Sequence, residues 1–246
     1  MRTLAFLATA LLQLIVVSGR VVAAENAAVE PEWLPVQKLI VDAVTSDLMF
    51  HKRGDVALRI PTPSQCVSVR GVYPLDDQLR LLADNLRCEK TKAAELFELL
   101  DFDLERQSLP TNHGNAAEPK WEDVSIQTAL DVLRAVDYSS QDVVPAKQSD
   151  PVITMLLPKR RGEDWPHEVI THPNLDQDKK THLLFRFLDF SVQPGHVYRY
   201  RVKLIVKNPN FQKESAGPFL MRGATREASW SQPSPAVSVN KVTKKE

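Results

Sequence analysis

The segment His167-Glu168-Val169-Ile170-Thr171-His172 brings two imidazoles and a carboxylate together, the residue types with which zinc hydrolases hold a metal and activate its water. The working arrangement places the two histidines four apart on one helical face. Here they are five apart and bounded by Pro166 and Pro173, which disfavour a helix. On a strand, a separation of five sends them to opposite faces. His182 adds a third imidazole with no spacing that ties it to the pair. The sequence therefore predicts no metal site and no cofactor. Paired acids such as Asp76-Asp77, or Asp101 with Asp103, are the groups of a glycosidase, whose two carboxyls stand about 5–10 Å apart. Acids on helix faces and edge strands are ordinarily solubilising, and solubility is their expected role here. There is no G-x-S-x-G elbow for a serine nucleophile, and the eight glycines of the 246 residues form no phosphate-cradling loop. The expectation is a non-catalytic protein. A hydrolase built on His167, His172 or a carboxylate pair stands as an alternative.

Two sets of residues are candidates for binding instead. Arg199, Arg201 and Lys203 recur at every second position, which aligns three cations on one face of a strand. Such a stripe either is a solvated face that deters edge pairing or contacts an acidic partner or glycan. The second set, Phe211, Phe219, Leu220 and Met221, lies in the long segment Asn208 to Ser229. Apolar side chains in a loop on a rigid scaffold either tuck back onto the core or form a docking site. Cys66 and Cys88 are the chain's two cysteines. In an oxidising compartment they could form one disulfide, whose loop closure would contribute about 3 kcal/mol. Otherwise Cys66 is a small core residue and Cys88 ends a helix.

The elements that must position these groups follow from periodicity. Cys66 to Val72 is short and valine-rich, as strands are. After Tyr73-Pro74, Leu75, Leu79, Leu82 and Leu86 fall on one helical face, with Asp76, Asp77, Arg80 and Asp84 toward water. A second helical piece spans Thr91 to Leu99, with Ala94, Phe97 and Leu100 on one side. Phe102, Leu104 and Arg106 then alternate with Asp103, Glu105 and Gln107, so that strand, helix and strand form a unit. A further helix is predicted over Ser125 to Val136, on Ile126, Leu130, Leu133 and Val136. Strands are expected at Pro151 to Leu157, at Glu168 to Thr171 and, within the lead-in, at Asp55 to Ile60.

The clearest element is Val197 to Lys207, where Tyr198, Tyr200, Val202, Leu204 and Val206 point one way and Arg199, Arg201 and Lys203 the other. The run Val192-x-Pro194-Gly195-x-x-Tyr198-x-Tyr200-Arg201-Val202 resembles the closing motif of fibronectin type III domains, and Ser231-x-Pro233-Ser234-x-x-Val237-x-Val239 resembles their last strand. The resemblance covers about a quarter of the chain. It implies a β-sandwich in which Tyr198 forms a tyrosine corner, its hydroxyl bonding to the chain just upstream, with Val192 in place of the usual leucine. Two departures stand out. The 208–229 connection is far longer than a hairpin loop, and neither Trp121 nor Trp165 lies at the distance expected of an early-strand tryptophan. The first half of the sandwich is then supplied by the strand-helix-strand unit, or that unit forms its own layer. VSVRGVYPLDDQL, a middle section ending in THP, and FRFLDFSVQPGHVYRYRVKLIVKNPNF together also resemble exported proteins of planctomycete bacteria, a resemblance that brings no activity with it.

Arg2, the uncharged apolar run Leu4 to Val17, and Val22 and Ala24 before a cut have the three-part layout of a secretory signal peptide. A cut after Ser18 would use Val16 and Ser18 in the same roles, and an uncleaved anchor is the remaining reading. A spanning helix needs about 20 apolar residues, and this run breaks at Ser18-Gly19-Arg20. Residues 1–24 hold two of the 31 basic and none of the 31 acidic residues, which leaves a mature charge of −2. That near-neutrality argues against a nucleic-acid partner. The reading is thus α+β, β-rich. It has a signal peptide at 1–24, an extended lead-in at 25–63 and a strand-helix-strand unit with an extra helix at 64–145. A fibronectin-III-like half-sandwich follows at 146–240, and a basic tail with Lys241, Lys244 and Lys245 at 241–246. The expected function is an exported, periplasmic or cell-surface binding or structural module without a membrane span after cleavage. Its partner would be an envelope or extracellular protein or a glycan. An accessory subunit of an envelope or secretion complex is the alternative.

Overall fold

In the computed structural model, residues 30–46, 64–110, 119–124, 126, 127, 129, 144–157, 181–213 and 216–241 are described. They form two antiparallel sheets and two α-helices. The first sheet has the order β1-β2-β5, from Gln37–Ser46, Ser64–Tyr73 and Leu183–Asp189. The second runs β4-β3-β6-β7, from Trp121–Asp123, Leu99–Leu109, Val197–Lys207 and Thr225–Glu227, with β8 (Val237–Ser238) also on β6. The strand-helix-strand unit supplies one strand to each sheet. Its two helices, α1 (Leu75–Leu86) and α2 (Lys90–Leu96), make the crossing.

One apolar core lies between the sheets. Val67, Val69, Phe185 and Phe187 from the first sheet meet Phe102, Leu104, Tyr200, Val202 and Leu204 from the second. Phe102 sets its ring edge-on to Phe185 and Phe187 at 5.2 and 5.8 Å, an arrangement that suits the aromatic quadrupole. Leu79, Leu82 and Ala83 of α1 join this core along the predicted stripe. α2 stops at Leu96, short of the predicted end. Phe97 then stacks on Tyr73 at 5.9 Å and the chain turns into β3.

β6 alternates as predicted, with every even residue from Tyr198 to Val206 buried. Three other readings are corrected. The lead-in contributes β1, a ten-residue strand paired with β2 with a register break between Gln37 and Ile40. Gly71 makes room for it, since a Cβ there would come within 2.5 Å of Val36 Cγ1 and 2.8 Å of Leu39 Cδ2. Pro151 to Leu157 is not a strand. Asp150 accepts the amides of Ile153 and Thr154 and caps Val152, which makes a turn, and Thr154 alone forms a parallel bridge to Arg186. The last strand is reduced to Val237–Ser238 because Pro233 and Pro235 lack donors. Ser231 and Ser234 compensate. Their amides donate to Val202 O and Tyr200 O at 2.8 Å, and their hydroxyls accept Val202 N and Tyr200 N at 3.0 Å.

The signal segment, the Asp55 to Ile60 strand, the Glu168 to Thr171 strand, and Lys244 and Lys245 lie outside the described residues. So does the 125–136 helix beyond Ile126, Gln127 and Ala129, which are helical. No described helix is long and apolar enough to cross a membrane.

Candidate functional site

The turn before β6 fixes which side chains the strand presents. Gly195 takes a positive φ of 85° that a side chain would strain, and its amide donates to Val239 O. Tyr198 is buried, and its hydroxyl accepts the Gln193 amide at 3.1 Å, just upstream. Val192 is in the core and Pro194 is exposed. From this start the even residues enter the core and the odd residues line the outer face.

On the outer face the three cations are not a bare stripe. Cross-strand register sets Lys203 opposite Asp103 and Arg201 opposite Glu105. Arg201 Nε donates to Glu105 at 2.6 Å, while Lys203 Nζ lies 2.6 Å from Glu227 and 3.1 Å from Asp103. Arg199 Nε donates to Gln107 Oε1. Two indoles interleave with these side chains. The Arg201 guanidinium lies 4.5 Å from the Trp121 ring and 4.4 Å from the Trp230 ring. Arg199 sits 5.4 Å from Trp121, and the Lys203 ammonium 4.9 Å from Trp230. The result is a ladder, Arg199–Trp121–Arg201–Trp230–Lys203, in which cations and indole faces alternate. Hydrogen bonding to Glu227 and Asp103 raises the Lys203 pKa, with partial burial opposing it. The ladder also ties β4 and the chain around Trp230 to β6. Periodicity places neither tryptophan on this face, and the part of the ladder that the sequence signals is the antiparallel match of Asp103 and Glu105 to Lys203 and Arg201.

On the inner face, Tyr200 is fully buried and donates to Asp189 Oδ2 at 3.1 Å. Asp189 is itself 1% exposed. It also receives Arg106 Nη1 at 3.0 Å and both the amide and the hydroxyl of Ser191. Asp189 belongs to β5, and Arg106 and Tyr200 to the other sheet, so this network crosses the sandwich. Burial, then the Asp189 charge, pushes the Tyr200 hydroxyl far above the ordinary tyrosine range. A phenol held neutral in this way is a poor nucleophile and a poor general base.

The 208–229 segment is built rigidly at its base. Asn208 Nδ2 donates to Leu220 O and Gly223 O at 2.9 Å, and Arg226 donates to the carbonyls of Leu220, Arg222 and Thr225. The four predicted docking residues separate on this frame. Leu220 is buried and Met221 half-buried, whereas Phe211 is 41% and Phe219 69% exposed.

No disulfide joins Cys66 and Cys88. Cys66 faces the small cluster of Val44, Leu157 and Leu188, whereas Cys88 packs against the main core just past α1. Of the two acid pairs, Asp76 is held by Lys90 and Arg80, and Asp77 by Arg80. His167, Glu168 and His172 lie outside the described residues, and His182 shares a 2.8 Å hydrogen bond with Thr181. Among the described residues no group of three or more His, Cys, Asp or Glu could hold a metal ion. No family model, no curated protein and no solved structure matches this chain.

Proposed function

We propose that the chain is an exported, non-catalytic binding module of the cell envelope or extracellular space, with a fibronectin-III-like sandwich as its scaffold. The scaffold reading draws support from the strand order. β2 is followed by β3 and β4 in the facing sheet, β5 returns to β2, and β6 crosses again, as in a Greek key. The tyrosine-corner contact of Tyr198 supports it as well. The apolar run at Leu4 to Val17 supports export.

One observation carries the binding reading: Phe219 is 69% exposed on a loop that Asn208 and Arg226 pin at its base. A rigid loop that presents an aromatic ring loses little conformational freedom on docking, which makes such rings effective anchors. The outer face of β6 is a weaker candidate. Its cations already have carboxylate, amide or indole partners, so an acidic partner would have to displace them. The partner expected at the loop is another envelope or extracellular protein.

The test is site-specific photo-crosslinking in intact cells from position 217, an exposed glycine of the same loop with open space around an added Cβ. A discrete crosslinked protein that is lost when Phe211 and Phe219 are both replaced by serine supports the reading. A crosslinking pattern unchanged by those substitutions would overturn it. So would turnover in a hydrolase screen by the purified protein.

A further inference from the structure

A second surface lies around the start of β3 and the Ser149–Val152 turn. Two adjoining cavities of about 560 and 510 Å³ open there, both lined by the Ser149–Val152 turn, which stands as a ridge between them. The first has Phe102, Ile126 and Met155 in its wall and the second Leu79, Phe97 and Leu183. Leu100 and Leu156 rim the first cavity and are 38% and 43% exposed. The β3 bulge between Leu99 and Asp101 interrupts the ladder at Leu100 and accompanies its outward tilt. Four acids stand on these walls. Asp76 and Glu98 are committed to Lys90 and Lys207. Asp101 and Asp150 accept the amides of Phe102 and Val152 at 2.8 and 2.9 Å, and among the described residues neither has an ion-pair partner. Arg186 also lines the first cavity, but it is 1% exposed and its Nε donates to Met155 O.

The backbone adds a direction. Leu104 O accepts Val124 N from the β4 side, so the even residues of β3 aim their main-chain groups at that edge. β4 covers β3 only opposite Glu105 to Gln107. Phe102 is therefore the next edge position. Its amide is taken by Asp101, and among the described residues no donor meets its carbonyl.

We propose that this trough binds an extended, cationic-amphipathic peptide segment of a partner protein. Its chain would lie along the β3 edge at Phe102, with apolar side chains in the two cavities and Lys or Arg at Asp101 and Asp150. Paired pockets beside an open strand edge are how sheets recognise extended peptides, and the uncompensated carboxylates select the sign of the charge. The proposal rests on the reading of the chain as a binding module but uses a surface other than the Phe219 loop.

The probe is a fluorescein-labelled heptapeptide of alternating leucine and lysine, titrated against the full mature protein by anisotropy. An alternating leucine–glutamate peptide serves as its counterpart. Asp101→Asn keeps the acceptor for the Phe102 amide and removes only the charge, and Leu156→Ser shortens the rim. Each is expected to weaken the lysine peptide by about tenfold, the factor that about 1.4 kcal/mol represents, without changing the melting temperature. Phe219→Ser should leave the affinity unchanged. Equal binding of the glutamate peptide overturns the proposal, as does wild-type affinity in Asp101→Asn. Loss of binding on Phe219→Ser alone would move the peptide to the loop, which overturns the trough and leaves the binding-module reading standing.

Discussion

On the inner face of β6, Tyr200 ends against a carboxylate almost sealed from water. One residue further, on the outer face, Arg201 lies between two indoles at the edge of solvent. Both sites join elements that are distant in the chain, and both use charge. They differ in what surrounds the charge. The inner network is centred on Asp189 and Tyr200, both almost sealed from water, where an unpaired group cannot turn to solvent, and only Arg106 at its margin is 18% exposed. The outer ladder has partial access to water, and its members can be rehydrated if a neighbour is lost. The inner face should therefore be brittle and the outer face forgiving.

The sharpest way to break that contrast is Asp189→Ala. It removes the acceptor of Tyr200, Arg106 and Ser191 at once. Breaking a buried pair by removing one partner costs about 3–5 kcal/mol, which at this size lowers the melting temperature by about 10 °C. A shift below about 3 °C by circular dichroism would show that water reaches the site. Alkaline pH tests the same face without a mutation. Burial raises the pKa of Tyr73 and Tyr200 above the ordinary value of about 10. A group whose pKa is raised on folding contributes stability that is complete below its unfolded pKa and fades as pH climbs toward its folded one. Unfolding should therefore become easier above about pH 10. In a titration at 295 nm, Tyr73 and Tyr200 should ionise only together with loss of structure. Gradual ionisation of all four tyrosines in the folded protein would contradict the burial.

The two faces were also unequally legible in the sequence. Alternation over Val197 to Lys207 gave β6 and its inward set, because one face is dry and the other is not. β5 escaped notice although it is its neighbour across the core. All seven residues of Leu183–Asp189 are buried, so the run has no period of two to read. β1 was hidden for a different reason. As an edge strand with Gln37, Lys38 and Asp42 among its residues, it offers only a short apolar patch. The inner network could not be anticipated, since Asp189 in an apolar run has no visible partner. The ladder was half visible. Asp103 and Glu105 alternate on one predicted strand and Arg201 and Lys203 on another, and pairing the two strands antiparallel would have matched them. Trp121 and Trp230 were not, because each lies far along the chain from the cations it covers.

A smaller effect sharpens the comparison from the outer side. Arg201→Ala removes a guanidinium held by two indoles and by Glu105. Contacts of a cation with an aromatic face contribute about 0.5–1 kcal/mol each where water has access, so a loss of about 1–2 kcal/mol is expected. A cycle with Trp230→Ala should return a coupling of about 0.5–1 kcal/mol. Additive losses would mean that the ladder is a set of neighbours and not an interacting unit.

The smallest expected effect lies at the end of the ladder. Lys203 meets Glu227 and Asp103, and its side chain is only 14% exposed, whereas that of Glu227 is 64% exposed. The raised Lys203 pKa means that its pairing contributes below the unfolded value of about 10.4 and is lost as pH rises through the folded one. Lys203→Met keeps most of the stem over Trp230 and removes the ammonium. Because exposed pairs contribute at most about 1 kcal/mol, the variant should lose no more than that at low salt. The gap to wild type should narrow as salt is raised, since screening weakens the same attraction in the parent. A loss as large as that of Asp189→Ala, independent of salt, would place Lys203 in the same dry class as the inner network. Stability would then depend on how closely polar groups are paired, whichever face of the strand they occupy.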